Sequence, residues 1–134
     1  MSFIVTDEGE REMLNRITAK NISPSDLILR LFVNDITPTE NSVFADFVEP
    51  SDGLYEIIPL VGNSWEVNTL AGVSTASQAE QTFSFSASVT VYGYFVTTLS
   101  GSVIICFLAE RFAAPHVVEA GGGTIGIPPT LRLE

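Results

Sequence analysis

Few residues in this chain have the type and spacing to do chemistry, and they lie far apart. His116 is the only histidine, and it sits in Ala114-Pro115-His116-Val117-Val118. A general base needs a positioned partner and a metal centre needs several ligands, and those neighbours supply neither. It reads as a structural or surface histidine, and an acid-base role would require carboxylates arriving from remote strands. Cys106, the only cysteine, lies within the apolar run Val103-Ile104-Ile105-Cys106-Phe107-Leu108. There a thiol behaves as a small buried hydrophobe, and an intrachain disulfide is impossible.

Other groupings are equally weak as sites. Asp46, Glu49, Asp52 and Glu56 carry the oxygen ligands a hard cation takes, but their spacing matches no EF-hand loop and a solvated loop is the better reading. Gly121-Gly122-Gly123-Thr124-Ile125-Gly126 has the glycines of a phosphate loop without its lysine or following helix, and it runs into Pro128-Pro129. It reads as a flexible hairpin loop. Asn21-Ile22-Ser23 fits the glycosylation pattern, but no secretory signal accompanies it. Tyr92, Tyr94 and Phe95 around Gly93 suit a stacking patch for a sugar or peptide, although strand aromatics more often pack across a sheet or at a subunit contact. No catalytic residue, metal ligand or cofactor-binding residue is assigned.

The segment from Gln81 to Ala109 contains no Asp, Glu, Lys, Arg or His. From Thr82 to Val91 the alternation is strict: Phe83, Phe85, Ala87, Val89 and Val91 face one way, and hydroxyl-bearing residues face the other. That is the period of a half-buried strand. The hydroxyls, and the turn at Leu99-Ser100-Gly101-Ser102, interrupt the roughly 18 continuous apolar residues that a membrane span requires. Further short strands are expected over Leu27–Val33, Phe44–Val48, Leu54–Val61, Ser64–Leu70 around Trp65, Val89–Thr97 with a bulge near Gly93, Val103–Ala109, Pro115–Glu119 and Leu131–Leu133. About seven to nine strands spaced roughly ten residues apart predict an all-β fold, a β-sandwich or jelly-roll-like barrel.

The amino-terminal segment differs. Asp7, Glu8, Glu10, Arg11, Glu12, Arg16 and Lys20 concentrate charge there, and the pattern predicts a helix over Glu8–Ala19 capped by Asp7. Met13, Leu14 and Ile17 form its narrow apolar stripe. A helix of about a dozen residues is marginal alone in water, so it must dock on its own sheet or on a neighbouring molecule. The chain thus divides near residue 25, with a helical arm over 1–25 and a β domain over 26–134.

At 134 residues the chain is one domain's length, enough to bury about 60% or more of its unfolded surface without disulfides. The net charge of −10, with only six Lys and Arg, opposes a nucleic-acid partner. A composition rich in apolar residues and poor in charge leaves the surface to Ser, Thr, Asn and Gly, or to other subunits. Val103–Leu108, apolar on both faces, predicts a central strand or a strand covered by a second copy, and closed symmetry is the usual result of such self-association.

One resemblance gives these features a context. Leu29-Arg30-Leu31-Phe32-Val33-Asn34, Ile36-Thr37-Pro38-Thr39, Phe44-Ala45-Asp46-Phe47, Val91-Tyr92-Gly93-Tyr94-Phe95-Val96 and Leu108-Ala109-Glu110-Arg111-Phe112 resemble, in that order, elements of a family of small tailed-bacteriophage virion proteins. The likeness runs from residue 5 through nearly the whole chain. It implies a structural virion component, favoured as a capsid cement or decoration protein that binds the major capsid protein on the outer capsid surface as a homotrimer. Such a protein is made in the host cytoplasm and performs no catalysis. On that reading Met13, Leu14 and Ile17 are the candidate capsid-contact arm, and Tyr92, Tyr94 and Phe95 the candidate subunit interface. No cofactor, nucleic acid or membrane is implied. The alternative is a tail or head-fibre adaptor or receptor-binding β-sandwich, presenting loops such as Glu49–Gly53 and Gly121–Gly126. A small hydrolase or isomerase is a third class, open only if His116 meets remote carboxylates.

Overall fold

A computed structural model describes residues 2–17, 27–60 and 66–133. Trp65, Lys20 and Asn21-Ile22-Ser23 lie outside the described residues, as do the side chains of Leu14 and Ile17. The fold is all-β and sandwich-like, with one short amino-terminal helix. Ten strands are present among the described residues: β1 (Ser2–Val5), β2 (Ile28–Phe32), β3 (Ile58–Pro59), β4 (Glu66–Leu70), β5 (Val73–Ser77), β6 (Gln81–Phe85), β7 (Val89–Ser100), β8 (Val103–Val118), β9 (Gly123–Ile127) and β10 (Thr130–Leu133). Helix α1 covers Asp7–Ile17, and a single 3-10 turn covers Phe44–Asp46. The strands form a five-stranded sheet in the order β1-β8-β7-β2-β3, a three-stranded sheet β10-β5-β4 and a pair β6-β9.

The long β7-β8 hairpin is the spine. Its two-residue turn, Gly101-Ser102, places Ser100 opposite Val103, and Gly101 takes a φ of 65° that the turn requires and glycine tolerates. Two irregularities shape the ribbon. Leu108 pairs with Val96 and Cys106 with Thr97, so Phe107 is extra and the strand bulges. In consequence Phe107 and Leu108 both enter one apolar cluster, while Cys106 and Ala109 enter another. Further along, Arg111 pairs with Gly93 but His116 pairs with Val91. Phe112 to Pro115 are therefore looped out against Tyr92 alone, a break in the ladder where the missing N–H of Pro115 does no harm. Gly93 is required there, because a Cβ would overlap the Glu110 carbonyl and the Phe32 ring.

The five-stranded sheet is covered on both faces. On one, Leu29, Leu31, Tyr94 and Val96 pack against Phe83 and Phe85 of β6 and Ile125 and Ile127 of β9. The strict alternation of the sequence is thus realised in β6, whose Thr82 and Ser84 point to solvent. The strand does not continue to Val91: it stops at Ser86, where the Asp52 carboxylate accepts hydrogen bonds from the N–H groups of Ser86 and Ala87 and from the Ser86 hydroxyl. On the other face Phe32, Phe95, Cys106 and Ala109 meet Phe47. Phe47 stacks on Phe95 at 4.4 Å between ring centres, and each buried aromatic contributes about 1.5–3 kcal/mol.

The amino terminus is stitched into this body. β1 pairs antiparallel with β8, Ser2 opposite Arg111 through Val5 opposite Leu108. Thr6, fully buried, caps α1 by accepting a hydrogen bond from the Gly9 N–H at 2.9 Å and donates its own proton to the Cys106 carbonyl. The cap is therefore Thr6 rather than Asp7, one residue earlier than the charge pattern indicates, because the cap also has to bond β8. At Gly9 the helix touches the Phe107 carbonyl so closely that a Cβ has no room. Up to Met13, which packs against the core, the described part of the 1–25 segment is a strand and a helix docked on their own sheet, one of the two dockings that the sequence left open.

Phe44–Val48, expected as a strand, contains the 3-10 turn. The Asp46 carboxylate accepts the Val43 N–H at 2.9 Å, closing a local turn in place of a ladder. Among its described residues, Leu54–Val61 yields only the two-residue β3, and the Tyr55 hydroxyl takes over where β3 ends by accepting the Leu31 N–H at 3.0 Å. Most of Gly121–Gly126, expected as a flexible hairpin loop, belongs instead to β9, paired with β6 along its length.

Candidate functional site

Several motif residues turn out to be fasteners. Asn34 donates to the Asp46 carbonyl at 2.8 Å and accepts from the Val48 N–H at 2.9 Å, closing the covering segment on itself. Arg111 donates to the Ile36 carbonyl at 2.8 Å, pairs with Asp35 and lies 5.3 Å from the Tyr92 ring centre. Arg30, almost fully buried, donates to the Thr97 hydroxyl at 2.9 Å and to Glu49 at 3.1 Å, while Glu49 also accepts from Tyr55 at 2.8 Å. Asp46, Glu49 and Asp52 thus serve separate structural partners rather than converging on a cation. No group of three or more His, Cys, Asp or Glu suited to a metal exists among the described residues.

The aromatic trio is divided between two regions. Phe95 is fully buried between Phe32, Phe44 and Phe47, and Tyr94 is only 4% exposed. Neither offers surface to a second subunit: β7 is an interior strand, with β8 on one side and β2 on the other. Tyr92 alone is half-exposed, beneath Arg111. Met13 faces inward too, lining a small apolar cavity of about 140 Å³ with Phe3, Val5, Val67, Ala76 and Leu131.

A larger cleft, of about 350 Å³, opens where β8 loses register with β7, and it is lined by Tyr94, Glu110, Phe112, His116, Thr130 and Arg132, among others. Tyr94 and Glu110 are ladder partners. The looped-out stretch brings Phe112 and His116 to the same cleft, their rings 4.7 Å apart. Burial pushes the Tyr94 phenol well above its ordinary value, with the nearby Glu110 charge adding to the shift. Burial likewise raises the Glu110 carboxyl, and Arg132 opposes the rise. The sequence names His116 but not its cleft, because the lining comes from β1, β7, β8, β9 and β10.

His116 shares the cleft with the Glu110 carboxyl, and among the described residues no hydrogen bond or ion pair joins His116 to a carboxylate. The Thr130 hydroxyl is spent on the Pro128 carbonyl at 3.2 Å. Cys106 lies in the opposite cluster, with no exposed surface, and burial pushes its thiol up to about 12.

Outside the cleft, the molecule exposes apolar side chains at strand ends and edges. β4 is an edge strand exposed along its whole length, with Val67 72% and Leu70 81% exposed. At the tip of the β7-β8 hairpin Leu99, Val103 and Ile104 are exposed as well. Val103–Leu108 is therefore covered only from Ile105 onward. No helix among the described residues is long and apolar enough to cross a membrane. No protein-family model matches the chain, and no curated protein or solved structure is significantly similar to it.

Proposed function

We propose that this chain is a non-catalytic structural protein of a tailed-phage virion, a capsid cement or decoration protein that binds the outer shell as a homotrimer. The observation that carries the reading is the exposed apolar strand surface, Val67 and Leu70 on β4 and Leu99, Val103 and Ile104 at the hairpin tip. An unpaired edge strand with exposed apolar residues is a template for pairing with another chain. The ordered motifs that resemble phage virion proteins add to it: their residues meet as one packed unit, with Phe32, Phe47 and Phe95 in contact and Asn34 and Arg111 fastening the cover. The subunit contact is accordingly assigned to the β4 edge and the hairpin tip in place of Tyr94 and Phe95.

The test is binding to emptied phage heads followed by electron microscopy of the particles. Many copies at icosahedral three-fold positions support the reading, and copies confined to the tail exclude it. Light scattering of the purified protein should give the mass of a trimer, and Val67→Ser with Leu70→Ser should shift it towards monomer. The second reading, a fibre adaptor or receptor-binding module on the tail, is favoured by one observation, the cleft around Tyr94 and Glu110.

A further inference from the structure

We infer that the cleft between β7, the looped-out part of β8 and β10 binds a neutral, hydroxyl-rich ring, the chemistry of a pyranose sugar. Tyr94 is 4% exposed and lines the cleft, yet its hydroxyl has no hydrogen-bond partner among the described residues. A buried hydroxyl without a protein partner leaves a hydrogen bond for a ligand hydroxyl to complete. Glu110, its ladder partner, also lacks an ion pair or hydrogen bond there, and Arg132 is close enough to influence its charge. Phe112 supplies an aromatic wall, 6.4 Å from the Tyr94 ring centre, against which the C–H face of a sugar ring packs.

Other ligand classes fit less well. A metal ion would find one carboxylate and one imidazole, too few for a site. A phosphate or sulfate would face Glu110 in a protein of net charge −10, without a helix amino terminus to hold it. A purely apolar ligand would leave Glu110, His116 and Arg132 desolvated. A polyol, which both donates and accepts and has an apolar face, satisfies the acceptor Glu110, the donor Arg132, the hydroxyl of Tyr94 and the ring of Phe112 together. The volume of about 350 Å³ falls in the range of small-molecule clefts, about 300–1,000 Å³. The inference does not depend on where the protein sits on a particle.

The experiment is saturation-transfer and amide-shift NMR on the full chain with the methyl pyranosides of glucose, galactose, mannose and N-acetylglucosamine, with inorganic phosphate and calcium as controls. At least one glycoside should receive saturation and move the amide resonances of Tyr94, Glu110 and His116. Tyr94→Phe and Glu110→Gln should each weaken that binding about five- to tenfold, the loss of one hydrogen bond, with the remaining amide spectrum unchanged. The inference is overturned if no glycoside binds, if phosphate or calcium binds in their place, or if both variants bind as tightly as the parent.

Discussion

The two faces of the five-stranded sheet solve the same packing problem with different outcomes. On the face covered by residues 34–48, Phe95 is enclosed by aromatic rings and Arg30 has Thr97 and Glu49. On the face that ends in the cleft, Tyr94, the residue next to Phe95, is buried too, but among the described residues its hydroxyl has no partner, and neither has the half-buried Glu110 carboxyl. Adjacent residues of one strand therefore serve different ends. The face where Arg30, Glu49 and Asn34 are paired holds the fold, whereas the one where Tyr94 and Glu110 have no partner among the described residues has room for a ligand beside them.

The contrast is broken most directly by deleting the ring on the closed face. Phe95→Ala should cost about 3–5 kcal/mol, read as a large fall in the urea midpoint, and a loss under 1 kcal/mol would mean that the face is not packed as described. Next in size, Glu49→Ala leaves Arg30 buried without its partner and also releases Tyr55. The expected cost is about 2–3 kcal/mol, below that of a fully enclosed pair because Glu49 retains some exposure.

A third variant probes the tie between loop 50–55 and the β6-β7 turn. Backbone N–H groups of Leu54, Ser86 and Ala87 hold the Asp52 carboxyl below its ordinary 3.8. Because the folded value is depressed, its contribution is fully present above 3.8 and is lost as pH falls through the folded value. Asp52→Asn should lower the neutral-pH unfolding midpoint and flatten its decline below pH 3.8, and an unchanged acid limb would remove the carboxylate from that role. The smallest effect sharpens the contrast from the other side. Tyr94→Phe should change stability by no more than about 0.5 kcal/mol in urea titration, since no partner among the described residues is lost, and a loss above 1 kcal/mol would reveal one.

The sequence is most legible where local chemistry decides structure. The alternation at Phe83 and Phe85, a turn within Leu99–Ser102, which the structure narrows to Gly101-Ser102, and the bulge beside Gly93 all follow from residue type and spacing. Elements defined by distant partners are not legible in this way. β5 is built of Val73, Ser74, Thr75, Ala76 and Ser77, with too little apolar alternation to declare a strand. It is fixed by pairing with β4 and β10, through a turn in which Ala71 and Gly72 both take positive φ. The break at Ser86 carries no glycine or proline, because its anchor is Asp52, 34 positions away. The cleft is harder still: its side chains come from five separate strands, and only the loss of register in β8 gathers them.

The bond from Thr6 to the Cys106 carbonyl spans 100 positions, which has a consequence for biosynthesis. Strand β1 cannot find its place until β8 has been made, so the nascent chain carries an unclosed sheet over the whole stretch between them. High sequence separation of this kind slows closure. A message truncated before Leu108 would release a polypeptide with sticky, unpaired strands and no means of finishing itself.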